Sequence, residues 1–229
     1  MNCDAFNKVA IILIDDERIV LNSLKSELST YIDDKYAIEI AESSFEALEL
    51  VDELLSDEYD IPVIICDYIM PEMKGDVLLN KIHQKSPHTL KILLTGQAVI
   101  DGVANAINNA ELYKYFDKPW DKKDLKKAIT EGIDLYYMKK RQQEDFLFLS
   151  SEEMQIKQKI QDMENSLLKE RFLNSNEAGE IISHLNTLKE MYSTVLKLKN
   201  IIDSCDDIRI SNIESEIDSL RNMLKIIET

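Results

Sequence analysis

Proline, glycine and cysteine are all scarce in this chain: four, five and three among 229 residues. So little proline and glycine excludes a collagen-like chain or a flexible low-complexity linker. Every proline lies at or before Pro119, so beyond it only Gly132 and Gly179 interrupt residues that favour helix. Cys3, Cys66 and Cys205 are isolated and odd in number, which argues against a disulfide framework and suits reduced thiols in a cytosolic protein. Three histidines with no cysteine nearby give zinc little support. Net positive charge is also missing. The chain carries −16 overall, and both halves are acidic. Nucleic-acid binding needs a cationic footprint, so no DNA partner is expected. The lysines at 122, 123, 126 and 127 read as the wet face of a helix. No apolar run approaches the ~20 residues that span a bilayer. The start lacks the basic residues and cleavage site of a signal peptide, so membrane insertion is not expected and a cytoplasmic location is.

What is present falls into two patterns. Up to about residue 120, short β-branched runs at Val9–Ile14, Tyr36–Ala41, Pro62–Cys66, Leu90–Leu94 and Tyr113–Phe116 alternate with helical patterns near 18–31, 44–56, 75–85 and 99–109. A fifth helix begins near Lys122. Strands alternating with helices imply βαβ crossovers, and runs as continuously apolar as VAIILI and VIIC suit strands covered on both faces. The fold class expected is α/β, a doubly wound five-stranded parallel sheet over residues 1–138, followed by an all-α extension over 139–229.

The extension carries heptad stripes. Phe146, Leu149, Ile156, Ile160, Met163 and Leu167 step by threes and fours, with Glu153 at one seam position. Ile181, Leu185, Leu188, Tyr192 and Val195 make a second stripe, and Ile210, Ile213, Ile217, Leu220, Leu224 and Ile227 a third. Such stripes pack into coiled coils or antiparallel bundles. Two arrangements could cover them: a hairpin folding back within one chain, or a homodimer through the C-terminal helices. The dimer is the expected arrangement, because a dozen apolar positions per chain exceed what a hairpin easily hides. Glu153 then marks either a locally weak register or a tolerated flaw.

Chemistry concentrates at strand ends. Asp15 and Asp16 follow the first strand, Asp67 the third, Thr95 the fourth and Lys118 the fifth. In an open parallel sheet the carboxyl ends of the strands share one edge, where ligands bind. Adjacent carboxylates repel unless a cation neutralises them, and Mg2+ suits a site of one or two carboxylates with phosphate oxygens. A carboxylate beside such a cation can attack phosphorus. Thr95 offers a hydroxyl to a phosphate oxygen and Lys118 an ammonium to its charge. Each residue alone could be an ordinary strand-end polar group.

Four motifs carry a resemblance: IDD at 14–16, DYIMP at 67–71, LLTG at 93–96 and KPW at 118–120. Residues 8–135 resemble the receiver domain of bacterial two-component response regulators. The resemblance implies the flavodoxin-like strand order 2-1-3-4-5. It makes Asp67 the phosphoacceptor, with Asp15, Asp16, Asp67 and the backbone carbonyl of Ile69 holding magnesium. It places Thr95 and Lys118 on the phosphoryl group and makes Thr95 and Tyr115 the switch pair. The implied phosphodonor is a sensor histidine kinase or a phosphotransfer protein. The only enzymatic activity implied is self-phosphorylation from a donor and self-dephosphorylation. Ile69 cannot orient an attacking water, so slow self-dephosphorylation is expected, with Gln97 a partial remedy. His184 is a relay candidate, although an ordinary surface histidine is the better reading. The remaining alternative is the regulatory portion of a longer signalling enzyme.

Overall fold

The computed structural model describes residues 8–96, 109–169, 175–204 and Ile217. The chain divides into two compact units, Met1–Lys140 and Arg141–Thr229.

The first unit holds β1 (Val9–Ile14), α1 (Arg18–Leu28), β2 (Tyr36–Ala41), α2 (Ser44–Ser56), β3 (Val63–Asp67), α3 (Gly75–Lys85), β4 (Leu90–Thr95) and β5 (Leu112–Asp117). It also holds the first part of α4, which spans Lys122–Lys169. The strands form one parallel sheet in the order β2-β1-β3-β4-β5, as the resemblance implied. Because strand side chains alternate, each strand feeds two cores. Ile12, Ile14, Ile64, Cys66 and Leu93 face Val51, Leu78 and Ile82 of α2 and α3. Their neighbours Ile11, Leu13, Ile65, Ile92 and Leu94 face Leu21 and Leu24 of α1 and Leu125 and Ile129 of α4.

Local chemistry agrees with these boundaries. Ser43 caps α2 by accepting from the Glu46 amide. The third, fourth and fifth expected strands each run one residue further, which makes Asp67 and Thr95 the terminal residues of β3 and β4. The helix expected over 99–109, and Gln97 before it, lie almost wholly outside the described residues. Gly132 does not break α4. A Cβ there would sit 3.3 Å from Val63 Cγ2 and 3.4 Å from Leu90 Cδ1, so the glycine lets the helix lie close on the sheet.

In the second unit, the rest of α4 packs on α5 (Ser175–Ser204). Gln142 donates to the Ile202 carbonyl, Glu153 pairs with Lys199, and Glu164 pairs with Lys189. Numbers rise on one helix as they fall on the other, so the two run antiparallel. Leu149 and Ile156 are buried against Leu188, Val195 and Leu198. Met191 and Ile202, which the stripes omitted, are buried as well. This weakens the argument for a dimer from unhidden apolar positions: Leu149, Ile156, Leu185, Leu188 and Val195 of the first two stripes are buried within the chain. Glu153 is not a flaw either, because Lys199 Nζ meets it at 2.5 Å and lies 5.2 Å from the centre of the Phe146 ring. Of the third stripe only Ile217 is described, and it is buried; the remainder lies outside the described residues.

Candidate functional site

The carboxyl edge of the sheet brings together three of the expected residues. Asp15 lies directly after β1, Asp67 ends β3, and Lys118 follows β5. The Lys118 ammonium reaches Asp15 Oδ2 at 2.7 Å and Asp67 Oδ1 at 2.6 Å. Both carboxylates are almost fully buried, with side-chain exposures of 1% and 6%, against 21% for Lys118. One amine, 103 residues from Asp15 along the chain, therefore bridges both acids.

Several backbone contacts hold this arrangement. The Glu17 amide donates to Asp15 Oδ1 at 2.9 Å. The Lys118 amide donates to the Thr95 carbonyl at 2.6 Å, tying the ends of β4 and β5 together. The Tyr68 amide donates to the Leu94 carbonyl at 2.8 Å, and the Gly75 amide to the Tyr68 carbonyl at 2.9 Å. Gly75 has no substitute here. A Cβ on it would lie 2.2 Å from the Asp67 carbonyl oxygen, so only glycine lets α3 close on the loop that carries the acid. Sequence reasoning missed two further contacts. The Ile69 backbone amide hydrogen-bonds the Asp67 carboxylate, and the buried Cys66 thiol donates to the Asp67 carbonyl at 3.1 Å. Neither leaves a signal in composition or spacing.

Electrostatics follow from burial. Desolvation pushes the Asp67 carboxyl above the usual range, with Asp15 adding to the push and Lys118 and the Ile69 amide opposing it. Burial works against the Lys118 ammonium too, yet the two carboxylates hold its pKa above the ordinary lysine value. The result is a carboxyl group held close to an ammonium, in a setting drier than water. An incoming phosphoryl group would meet a nucleophilic oxygen and a compensating positive charge together.

The other expected residues are placed as follows. Thr95 is buried at the end of β4, opposite Asp117 in the register. Asp16 is exposed. Ile69 and Tyr115 are also exposed, at 57% and 53%. His184 is exposed on α5, in the second unit. Among the described residues, no three acidic, histidine or cysteine side chains gather closely enough to form a metal cluster by themselves. Magnesium does not require one: one or two carboxylates suffice, water and phosphate oxygens supplying the other ligands. The buried pair Asp15 and Asp67 fits that chemistry.

The family model for the response regulator receiver domain matches residues 11–130. The chain belongs to that family. Among solved structures, the signal receiver domain of an HD domain-containing protein from Pseudomonas fluorescens Pf-5 is 31% identical, with a TM-score of 0.52 over 59% of this chain and 93% of its own. A response regulator receiver domain protein from Clostridium thermocellum is also 31% identical, with a TM-score of 0.51 over 57% of this chain and 98% of its own. Among curated proteins, the hydrogenase transcriptional regulatory protein HoxA of Cupriavidus necator is 24% identical over 56% of this chain. The 3',5'-cyclic-nucleotide phosphodiesterase regA of Dictyostelium discoideum is 24% identical over 96% of it. The chain spans about a quarter of the length of each of these two relatives. As a receiver, the first unit is a phosphorylation-switched signalling domain of a two-component system. Its family is phosphorylated by sensor kinases or phosphotransfer proteins, and its chemistry is phosphoryl transfer and self-dephosphorylation. No helix among the described residues is long and apolar enough to cross a membrane.

Proposed function

We propose that Asp67 is the phosphoacceptor of this receiver and that the helical unit passes its state to a protein partner. The observation that carries the reading is the Lys118 ammonium bridging Asp15 and Asp67 at the carboxyl edge. An Asp67 carboxylate oxygen attacks the phosphorus of a phosphohistidine on a sensor kinase or phosphotransfer protein, the P–N bond breaks, and the imidazole leaves. Lys118 offsets the charge on the transferred group, and the Thr95 hydroxyl accompanies it. Magnesium, held by Asp15, Asp16, Asp67 and the Ile69 carbonyl, would neutralise the phosphoryl oxygens during transfer. Tyr115 is exposed in the unmodified chain, which leaves its ring free to move with Thr95 as a switch.

Acetyl phosphate with magnesium tests the assignment. Intact mass should rise by one phosphoryl group in the native chain and stay unchanged in Asp67→Asn. Labelling of Asp67→Asn at the native level would reject Asp67.

For the helical unit the reading is protein–protein contact. Leu147, Met154, Ile182 and Leu196 remain exposed on α4 and α5 after the internal seam is covered. A homodimer would use these positions rather than the seam. Light scattering on the full chain, with and without acetyl phosphate, decides between them: a monomer under both conditions leaves only a different protein as partner. A second reading, favoured by the match to regA across 96% of the chain, makes these residues the regulatory portion of a longer signalling enzyme. His184, exposed on an antiparallel helix pair, would serve a relay only if it took phosphate from Asp67.

A further inference from the structure

Lys122, Lys123 and Lys126, which the sequence presents as a wet helix face, form one wall of a groove between α1 and α4. Glu27 of α1 and Tyr31 of the turn that follows it stand on the opposite wall, and the space between is about 540 Å3. That lies within the ~300–1,000 Å3 of small-molecule sites. In a chain of net charge −16, three lysines lining one concavity make a local reversal of sign.

The groove's polar groups are poorly matched to one another. Glu27 Oε1 and the Tyr31 hydroxyl are buried and hydrogen-bond to nothing in the protein, a costly state for such groups. Glu27 Oε2 meets Lys122 Nζ only at 3.5 Å, although the Glu27 side chain is just 11% exposed. The Lys126 ammonium rests 4.9 Å from the centre of the Tyr31 ring, on an aromatic face. Burial, with the charge of Glu27 adding to it, pushes the Tyr31 hydroxyl up to about 12, so it remains a donor.

We propose that the groove between α1 and α4 binds a guanine nucleotide, with its phosphates on Lys122, Lys123 and Lys126 and its base edge on Glu27. Phosphate would draw Lys122 away from Glu27 and leave a whole carboxylate facing the ligand. Guanine presents N1–H and N2–H side by side, two donors for the two oxygens of one carboxylate. Adenine presents an amino group beside a ring nitrogen that accepts, and a carboxylate repels that nitrogen. The protonated Tyr31 hydroxyl supplies a donor for a carbonyl or phosphate oxygen of the ligand. None of these residues belongs to the Asp67 site, so the proposal stands apart from the phosphoacceptor assignment.

Titration calorimetry on the full chain tests it, with GTP, ATP and tripolyphosphate in turn. Magnesium is chelated throughout, so that phosphate cannot be held through a metal near Asp67. GTP should bind saturably and more tightly than either ATP or tripolyphosphate. Glu27→Gln should weaken GTP by about tenfold, the loss of one charge-assisted contact, and leave tripolyphosphate unchanged. Lys123→Ser with Lys126→Ser should weaken both, and circular dichroism checks that the variants stay folded. Absence of saturable GTP binding would overturn the proposal. So would equal binding of GTP and ATP, a comparison that needs no variant, or GTP binding indifferent to Glu27→Gln in a folded protein.

Discussion

Replacing Lys118 with methionine preserves most of the stem and removes the ammonium that bridges Asp15 and Asp67. Two nearly buried carboxylates are then left without their shared ammonium. Breaking a buried ion pair from one side typically costs ~3–5 kcal/mol. The protein has a second response, which is to protonate one of the acids. For an aspartate of ordinary pKa ~3.9, that costs about 1.4 kcal/mol for each pH unit above the pKa. The ceiling on the deficit is therefore about 4 kcal/mol at pH 7 and about 1.5 kcal/mol at pH 5. The sign follows from linkage. In the variant the unpaired carboxyl has a folded-state pKa above its unfolded value, so its contribution is present at low pH and lost as pH rises. Urea denaturation of the native chain and of Lys118→Met should thus show a stability difference that grows between about pH 5 and pH 7, by up to roughly 2.5 kcal/mol. Adding Asp67→Asn to Lys118→Met removes one of the two stranded charges and should recover most of the loss. A difference that is flat with pH, or one below about 1 kcal/mol at pH 7, would refute the view that Lys118 neutralises a buried acid pair.

Two further outcomes are expected. Ile69→Asn puts a polar group beside Asp67 at a position already 57% exposed, so it should speed loss of the phosphoryl group without harming the core; an unchanged decay of the labelled protein removes the steric and polar role given to Ile69. Lys91 is buried in β4, with its ammonium 2.7 Å from His83 Nδ1 and 3.1 Å from the Pro87 carbonyl. Burial draws its pKa down to about 8, with Lys139 adding to the fall and Glu111 resisting it. The folded state thus releases this proton more readily than the unfolded chain, and stability rises as pH climbs from about 8 towards the ordinary lysine value. Relative to Lys91→Met, the native chain should gain up to roughly 3 kcal/mol across that interval in chemical denaturation, whereas a constant difference would show that Lys91 does not titrate as a buried amine.

The runs of β1, β3 and β4 were legible because these strands are covered on both faces, and a doubly covered strand must be continuously apolar. Alternation of strand and helix then implied a parallel sheet, and a parallel sheet puts Asp15, Asp67, Thr95 and Lys118 on one edge whatever the loops between them do. The fold and the placing of these four residues on one edge were accordingly within reach of the sequence alone. It did not reach the pairing. That a single amine bridges two acids, that Gly75 must lack a Cβ to pass the Asp67 carbonyl, and that Ile69 donates its amide are results of tenths of an ångström in packed loops. The helical unit shows the same division. Heptad spacing marked which faces of α4 and α5 are apolar, since local periodicity follows from helix geometry. Whether a second copy or the same chain covers a face depends on long-range register, which periodicity does not encode. Only the tertiary structure paired Glu153 with Lys199, 46 residues away, and turned a wet row of lysines into the wall of a groove.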